Sequence, residues 1–196
     1  YNNKSGFIPD SKYYNKLYEK NRWGASTCIS LGIGQDALLM TPIQMANLAT
    51  IIANHGYYKT PHIIKSIGNS NNNINPDFFV KKYCSIDSKH FDPVIYGMQT
   101  AIDGKYGTAK SAEIDGLTIC GKTGTAQNPH GDDHSIFIGF APKKNPKIAI
   151  AVYVENGGWG SELAAPIASL AIEKYLYRKI TRPKTETQII NKSINY

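Results

Sequence analysis

Apolar residues recur at helical spacing at Met45, Leu48, Ala49 and Ile52, directly behind Thr41-Pro42-Ile43-Gln44, which has the form of a capping box with proline at the first helical position. The pattern predicts a helix that Gly56 closes. A second helix is predicted from Asp92-Pro93, with Val94, Ile95, Met98, Ala101 and Ile102 on one face and Gly104 at its end. A third, over residues 164–177, carries Ala164, Ile167, Ala168, Ala171, Ile172 and Tyr175 along one stripe. Nearer the start, residues 10–22 predict a short helix capped by Asp10 or Ser11, followed by a loop through Trp23.

Between the second and third of the clearer helices the period shortens. Residues 117–121, 135–141 and 148–154 are apolar runs separated by Gly, Pro, Asn and Asp, and they predict three antiparallel strands in series. In the last, Ile148, Ile150, Val152 and Val154 alternate with Ala149, Ala151 and Tyr153, so both faces are apolar and the strand is expected to be central and covered on both sides. Residues 57–67 also look extended, with Pro61 arguing for an edge strand, and run into a polar loop at 68–73. The fold class is therefore α+β, an antiparallel sheet with packed helices; residues 1–180 form the domain portion and 181–196 are expected to be a loose polar tail.

A chain of 196 residues, 41% of them hydrophobic, can bury a core as one domain. Its surplus of seven positive charges admits an anionic partner. The basic residues gather at the two ends, however, as Lys4, Lys12, Lys16, Lys20 and Arg22, then Lys174, Arg178, Lys179, Arg182 and Lys184, which is the pattern of solvated helix faces. The thirteen tyrosines are scattered without a period, which argues against a nucleic-acid platform. No apolar run reaches 18 residues, so no bilayer span is expected within these residues. The chain opens on Tyr1, as expected of a piece of something longer whose membrane anchor lies elsewhere. Cys28, Cys84 and Cys120 are odd in number and far apart, which gives neither metal spacing nor a disulfide framework, and the disulfide state stays open.

The chemistry-bearing segment is Gly121-Lys122-Thr123-Gly124-Thr125, read at the end of an apolar strand and ahead of a hairpin loop, where a cation, hydroxyls and backbone N–H groups invite an anion. It also completes a phosphate-loop pattern, Gly116-x-x-x-x-Gly121-Lys122-Thr123. A phosphate loop needs a strand before its first glycine and a helix after its last residue. Here Leu117-Thr118-Ile119-Cys120 is strand-like, and Ala126-Gln127-Asn128-Pro129-His130-Gly131 cannot begin an apolar-periodic helix, so a nucleotide-binding protein is only a remote alternative.

Taken in order, Leu31-Gly32-Ile33-Gly34-Gln35, Thr41-Pro42-Ile43-Gln44-Met45-Ala46, Gly107-Thr108-Ala109, Gly121-Lys122-Thr123-Gly124-Thr125-Ala126-Gln127 and Val154-Glu155-Asn156-Gly157-Gly158 resemble class B penicillin-binding proteins, most of all the penicillin-binding protein 2 group of cell-elongation D,D-transpeptidases. The resemblance implies part of a serine β-lactamase-like transpeptidase fold, at the periplasmic face of the bacterial inner membrane. It also implies a serine enzyme that crosslinks peptidoglycan stem peptides ending in D-Ala-D-Ala, is acylated by β-lactams, works with cell-elongation proteins and needs no cofactor. On this resemblance Lys122 would hold the substrate carboxylate and support proton transfer, Thr123 and Thr125 would contact that carboxylate, and the Thr125 backbone N–H would be an oxyanion donor. Gly124 would leave room for a peptide against the strand edge.

The family pattern begins with Ser-x-x-Lys, followed by a Ser-x-Asn triplet. No serine here has a lysine three positions later. Ser70-Asn71-Asn72 and Ser193-Ile194-Asn195 fit the triplet by composition but follow the Gly-Ile-Gly-Gln segment, which the family's triplet precedes. The nucleophile is thus expected in a missing amino-terminal half, and the chain alone is expected to be inert. A non-catalytic β-lactam or muropeptide sensor and a structural role in an elongation complex are the alternative readings. His130, Asp132, Asp133 and His134 could ligate zinc or form a solvated turn, and the turn is favoured. Cys120 is expected in the core, while Trp159 could touch substrate or tuck over the last helix.

Overall fold

The computed structural model describes residues 5–19, 22–64 and 74–193. The polar loop at 68–73, with Ser70-Asn71-Asn72, and the end of Ser193-Ile194-Asn195 lie outside the described residues. The chain divides into two compact units, Tyr1–Gln44 and Met45–Tyr196.

In the first unit, α1 (Ser11–Leu17) starts where Asp10 accepts a hydrogen bond from the Tyr13 N–H at 2.8 Å. It ends well short of residue 22. Tyr14 is its buried residue, with the Trp23 ring 5.6 Å away. A helix the pattern did not show, α2 (Ala25–Gly32), follows; of its residues only Thr27 is buried, so no apolar stripe marks it. Thr41 and Gln44 make the expected reciprocal box, the Thr41 N–H donating to Gln44 Oε1 at 2.9 Å and the Gln44 N–H to Thr41 Oγ1 at 3.4 Å.

That box opens α3 (Pro42–Ala53). The helix closes with the Gly56 N–H on Ile51 O and the His55 N–H on Ile52 O, and both His55, at φ 53, and Gly56, at φ 108, take positive φ, so the expected glycine takes part in the closure. Of the run expected over 57–67, residues 65–67 lie outside the described residues; the described part supplies a two-residue strand, β1 (Tyr57–Tyr58), antiparallel to β2 (Lys82–Tyr83). Pro61, lacking an N–H, cannot continue the ladder. α4 (Phe91–Asp103) buries Phe91, Ile95, Met98 and Ile102, whereas Val94 is exposed.

The sheet has the order β3 (Cys120–Ala126), β4 (His134–Ala141), β5 (Ile148–Val154), all antiparallel, with Thr123 opposite Phe137 and Ser135 opposite Val154. Among the described residues, two successive hairpins place β4 between β3 and β5, so in this three-strand order β5 lies at one end and the expected second neighbour of β5 is not among them. The apolar double face of β5 instead reflects cover on both sides: Ile148, Ile150 and Val152 pack on the cluster around Phe137 and α5 (Ala164–Tyr177), and Ala149 packs on the cluster around Phe91, Met98 and Phe140. β3 also begins later than expected. Leu117 bridges back to Ile114 through a turn at Gly116, φ 76, so the strand starts at Cys120 and carries Lys122 and Thr123 within it. No helix follows Thr123, which removes the phosphate-loop reading.

α5 has the bounds its stripe predicts, and Ala164, Ala165 and Ala168, all fully buried, let it lie close against the sheet. Phe137 beneath it is fully buried, contributing about 2 kcal/mol relative to exposure. The expected loose tail is not loose throughout, since Pro183–Ile190 form a helix, α6, with proline in its first turn. Its anchor is ionic and therefore silent in a hydrophobicity pattern. Glu173, buried on α5, accepts from the Thr181 N–H at 2.9 Å, from the Thr181 hydroxyl and from Arg182 Nε at 3.4 Å. Arg182, read from sequence as part of a solvated basic face, also donates to Glu113 O and Ser169 Oγ. Burial alone would raise the Glu173 carboxyl, but Thr181 and Arg182 outweigh it and hold it below the ordinary range.

Candidate active site

β3 has β4 on one side and, among the described residues, no strand on the other. Side chains alternate across it: Cys120, Lys122 and Gly124 share the face of Phe140, and Gly121, Thr123 and Thr125 share the face of Phe137. Gly121 is required by contact, because a Cβ there would enter the Phe137 ring. Along this strand opens a groove of about 450 Å³ lined by Thr108, Lys122, Thr123, Gly124, Thr125, Trp159, Gly160 and Ser161. All four site residues picked from the sequence thus line one hollow.

Lys122 is exposed and donates from Nζ to Thr123 O at 2.7 Å, which occupies one of its three protons and leaves two for a ligand. The Thr123 hydroxyl lies 3.4 Å from the Thr108 hydroxyl. Thr108 is held there because the Ala109 N–H donates to Ala101 O at 2.8 Å, tying the segment back onto α4.

The opposite wall is the turn into α5. Buried Ser135 clamps it with a single hydroxyl, which donates to Trp159 O at 2.9 Å and accepts from the Ala164 N–H at 3.0 Å. Ser111 donates to Ser161 O at 2.6 Å, and the Ala165 N–H donates to Gly160 O at 2.9 Å. Gly160 lies against the strand so closely that a Cβ would strike Gly124 O and sit 2.5 Å from Ile136 O. The Trp159 side chain is 66% exposed and borders the groove, so of its two expected placements the structure shows the one beside the site.

His134 accepts the Asn156 N–H on Nδ1 at 3.1 Å, and Asp133 accepts the Asn128 N–H at 3.1 Å, so these two side chains help to shape the turn. Among the described residues no three His, Cys, Asp or Glu side chains converge as a metal cluster. Cys120 is fully buried, and burial pushes its thiol up to about 11, which leaves it protonated and inert at neutral pH. Cys28 is exposed, and all three cysteines are free.

Sequence reasoning singled out neither Gly160 nor Ser161, and it carried Thr108 only as part of a motif. The signals that could have found them are the two small-residue segments Gly107-Thr108-Ala109 and Gly158-Trp159-Gly160. The groove offers a cation, hydroxyls and an open strand flank, the means to hold a carboxylate-bearing peptide.

Residues 6–173 match the family model of the penicillin binding protein transpeptidase domain. The chain is 32% identical over 195 residues to peptidoglycan D,D-transpeptidase MrdA of Haemophilus influenzae, covering 88% of this chain and 29% of that protein. Among solved structures, Pseudomonas aeruginosa PBP2 in complex with WCK 5153 is similar at 38% identity and TM-score 0.75, over 87% of this chain and 38% of that one. The complex between PBP2 and MreC from Helicobacter pylori gives 29% identity and TM-score 0.71, over 87% of this chain and 31% of that one. The chain spans about three-tenths of the length of the curated relatives it matches.

Proposed function

The chain belongs to the penicillin-binding-protein transpeptidase family, in the penicillin-binding protein 2 group of class B, and from that premise we propose that it is the carboxy-terminal, Lys-Thr-Gly-bearing part of a peptidoglycan D,D-transpeptidase. The observation that carries the proposal is the convergence of Lys122, Thr123, Gly124 and Thr125 with Thr108 and Trp159 on one groove along an outer strand. The Lys122 ammonium draws in the carboxylate of a D-Ala-D-Ala terminus, or of a β-lactam. The Thr123 and Thr125 hydroxyls donate to that carboxylate, and Gly124 leaves the strand flank open. The Thr125 N–H serves as an oxyanion donor, a role worth on the order of 3 kcal/mol in the transition state.

The serine that attacks the carbonyl comes from outside these 196 residues, because no Ser-x-x-Lys lies within them. Cell-elongation proteins are the proposed partners; the similar Helicobacter pylori PBP2 is in complex with MreC. The periplasmic face of the inner membrane is the proposed location; among the described residues no helix is long and apolar enough to cross a membrane.

Fluorescent penicillin tests this directly. The whole transpeptidase domain that contains this chain should take one covalent label, displaced by D-Ala-D-Ala peptides, and the 196-residue chain alone should take none. A stoichiometric adduct on the chain alone would put the nucleophile inside it, and an unlabelled whole domain would remove the enzymatic reading.

A further inference from the structure

The groove does not stop at Thr108. A second hollow, of about 420 Å³, adjoins it there, with Thr108 in both walls, and runs past Gly104, Lys105 and Tyr106 at the end of α4. The Tyr106 side chain is 86% exposed, and the Lys105 ammonium stands 5.3 Å from the centre of its ring. An isolated exposed aromatic needs no explanation. This one is displayed by a turn with no slack. The Gly104 N–H donates to Thr100 O at 3.0 Å, the Gly107 N–H to Gly104 O at 3.0 Å and the Ala109 N–H to Ala101 O at 2.8 Å. A Cβ on Gly104 would strike Thr100 O, and one on Gly107 would lie 2.5 Å from Ala101 O. Both glycines are therefore pressed onto the helix end, and the two residues between them project outward from a fixed backbone. A rigid aromatic beside a cation loses little conformational freedom when something packs on it.

We propose that this hollow is a second subsite for the peptide whose terminus the groove at Lys122 receives, and that it takes an upstream, carboxylate-bearing stretch of that peptide. The inference rests on the transpeptidase reading given above. Thr108 marks the junction, the Tyr106 ring packs against the apolar flank of the peptide, and the Lys105 ammonium pairs with the upstream carboxylate. Of the charged side chains at this end of α4, Lys105 is the one that lines the hollow, which favours an acidic peptide over a neutral one.

The test uses the whole transpeptidase domain with fluorescent penicillin as the reporter. Three competitors are compared: a long acidic stem peptide ending in D-Ala-D-Ala, the same peptide with its upstream carboxylate amidated, and a short peptide carrying only the terminal dipeptide. Tyr106→Ala combined with Lys105→Gln should weaken competition by the long acidic peptide about tenfold. The short competitor and the penicillin acylation rate should stay within about twofold. Lys105→Gln alone should abolish the preference for the acidic over the amidated peptide. Both residues are exposed, so their truncation leaves the core intact. Equal effects on long and short competitors, or none on either, would overturn the subsite while leaving the Lys122 site standing. A wild-type domain that takes no penicillin would remove the transpeptidase reading, and the subsite with it.

Discussion

Lys122→Ala in the whole domain should slow penicillin acylation at least ~100-fold and leave the melting temperature almost unchanged. The two halves of that expectation come from the same geometry. Lys122 stands exposed on a strand that is outermost among the described residues, and its ammonium donates to the carbonyl of its neighbour Thr123 at 2.7 Å, so its removal takes no buried side chain from the fold. What goes is the cation in a groove otherwise lined by hydroxyls, glycines and Trp159. Removing one preorganised group that stabilises developing charge costs on the order of 10² to 10³ in rate. Stopped-flow acylation paired with thermal melts reads both quantities, and an unchanged acylation rate would remove Lys122 from the site.

Gly160→Ala should damage fold and site together. The added methyl would strike the Gly124 carbonyl and lie 2.5 Å from that of Ile136, so the turn must lift off the strand and take Trp159 and Ser161 with it. Overpacking of this kind costs about 1 to 3 kcal/mol, and acylation should fall because one wall of the groove has moved. Gly124→Ala is the control that separates the two effects. A Cβ at Gly124 would meet only Ile136, at 3.4 Å, an ordinary contact, so the protein should melt normally. Its acylation should still fall, because the methyl intrudes on a ligand lying along the strand. If Gly160→Ala melts and acylates like the wild type, the turn does not depend on that close approach.

The elements legible in the sequence are those held by periodic apolar contact. The stripe from Ala164 to Tyr175 gave α5 its bounds, and the Thr41–Gln44 box fixed the start of α3. α2 was not legible, because only Thr27 is buried along it, and α6 was not, because it is moored by Glu173 and Arg182. The two apolar faces of β5 correctly signalled cover on both sides, but they report neighbours above and below the strand and not its place in the order of the described strands. In the site, the four residues 122–125 are contiguous and so stand out as a motif. Thr108 reaches Thr123 across 15 residues, and Ser111 holds Ser161 across 50, separations at which a single sequence carries no contact signal.

The central claim is that the flank of β3 receives a carboxylate at residues 122–125 beside Trp159. A crystal structure of the whole domain acylated by penicillin tests it most directly. The account predicts the drug carboxylate within about 3 Å of a Thr123 or Thr125 hydroxyl, with the Lys122 ammonium turned toward it. An adduct whose carboxylate lies away from that groove, with Lys122 still folded onto Thr123 O, would contradict it.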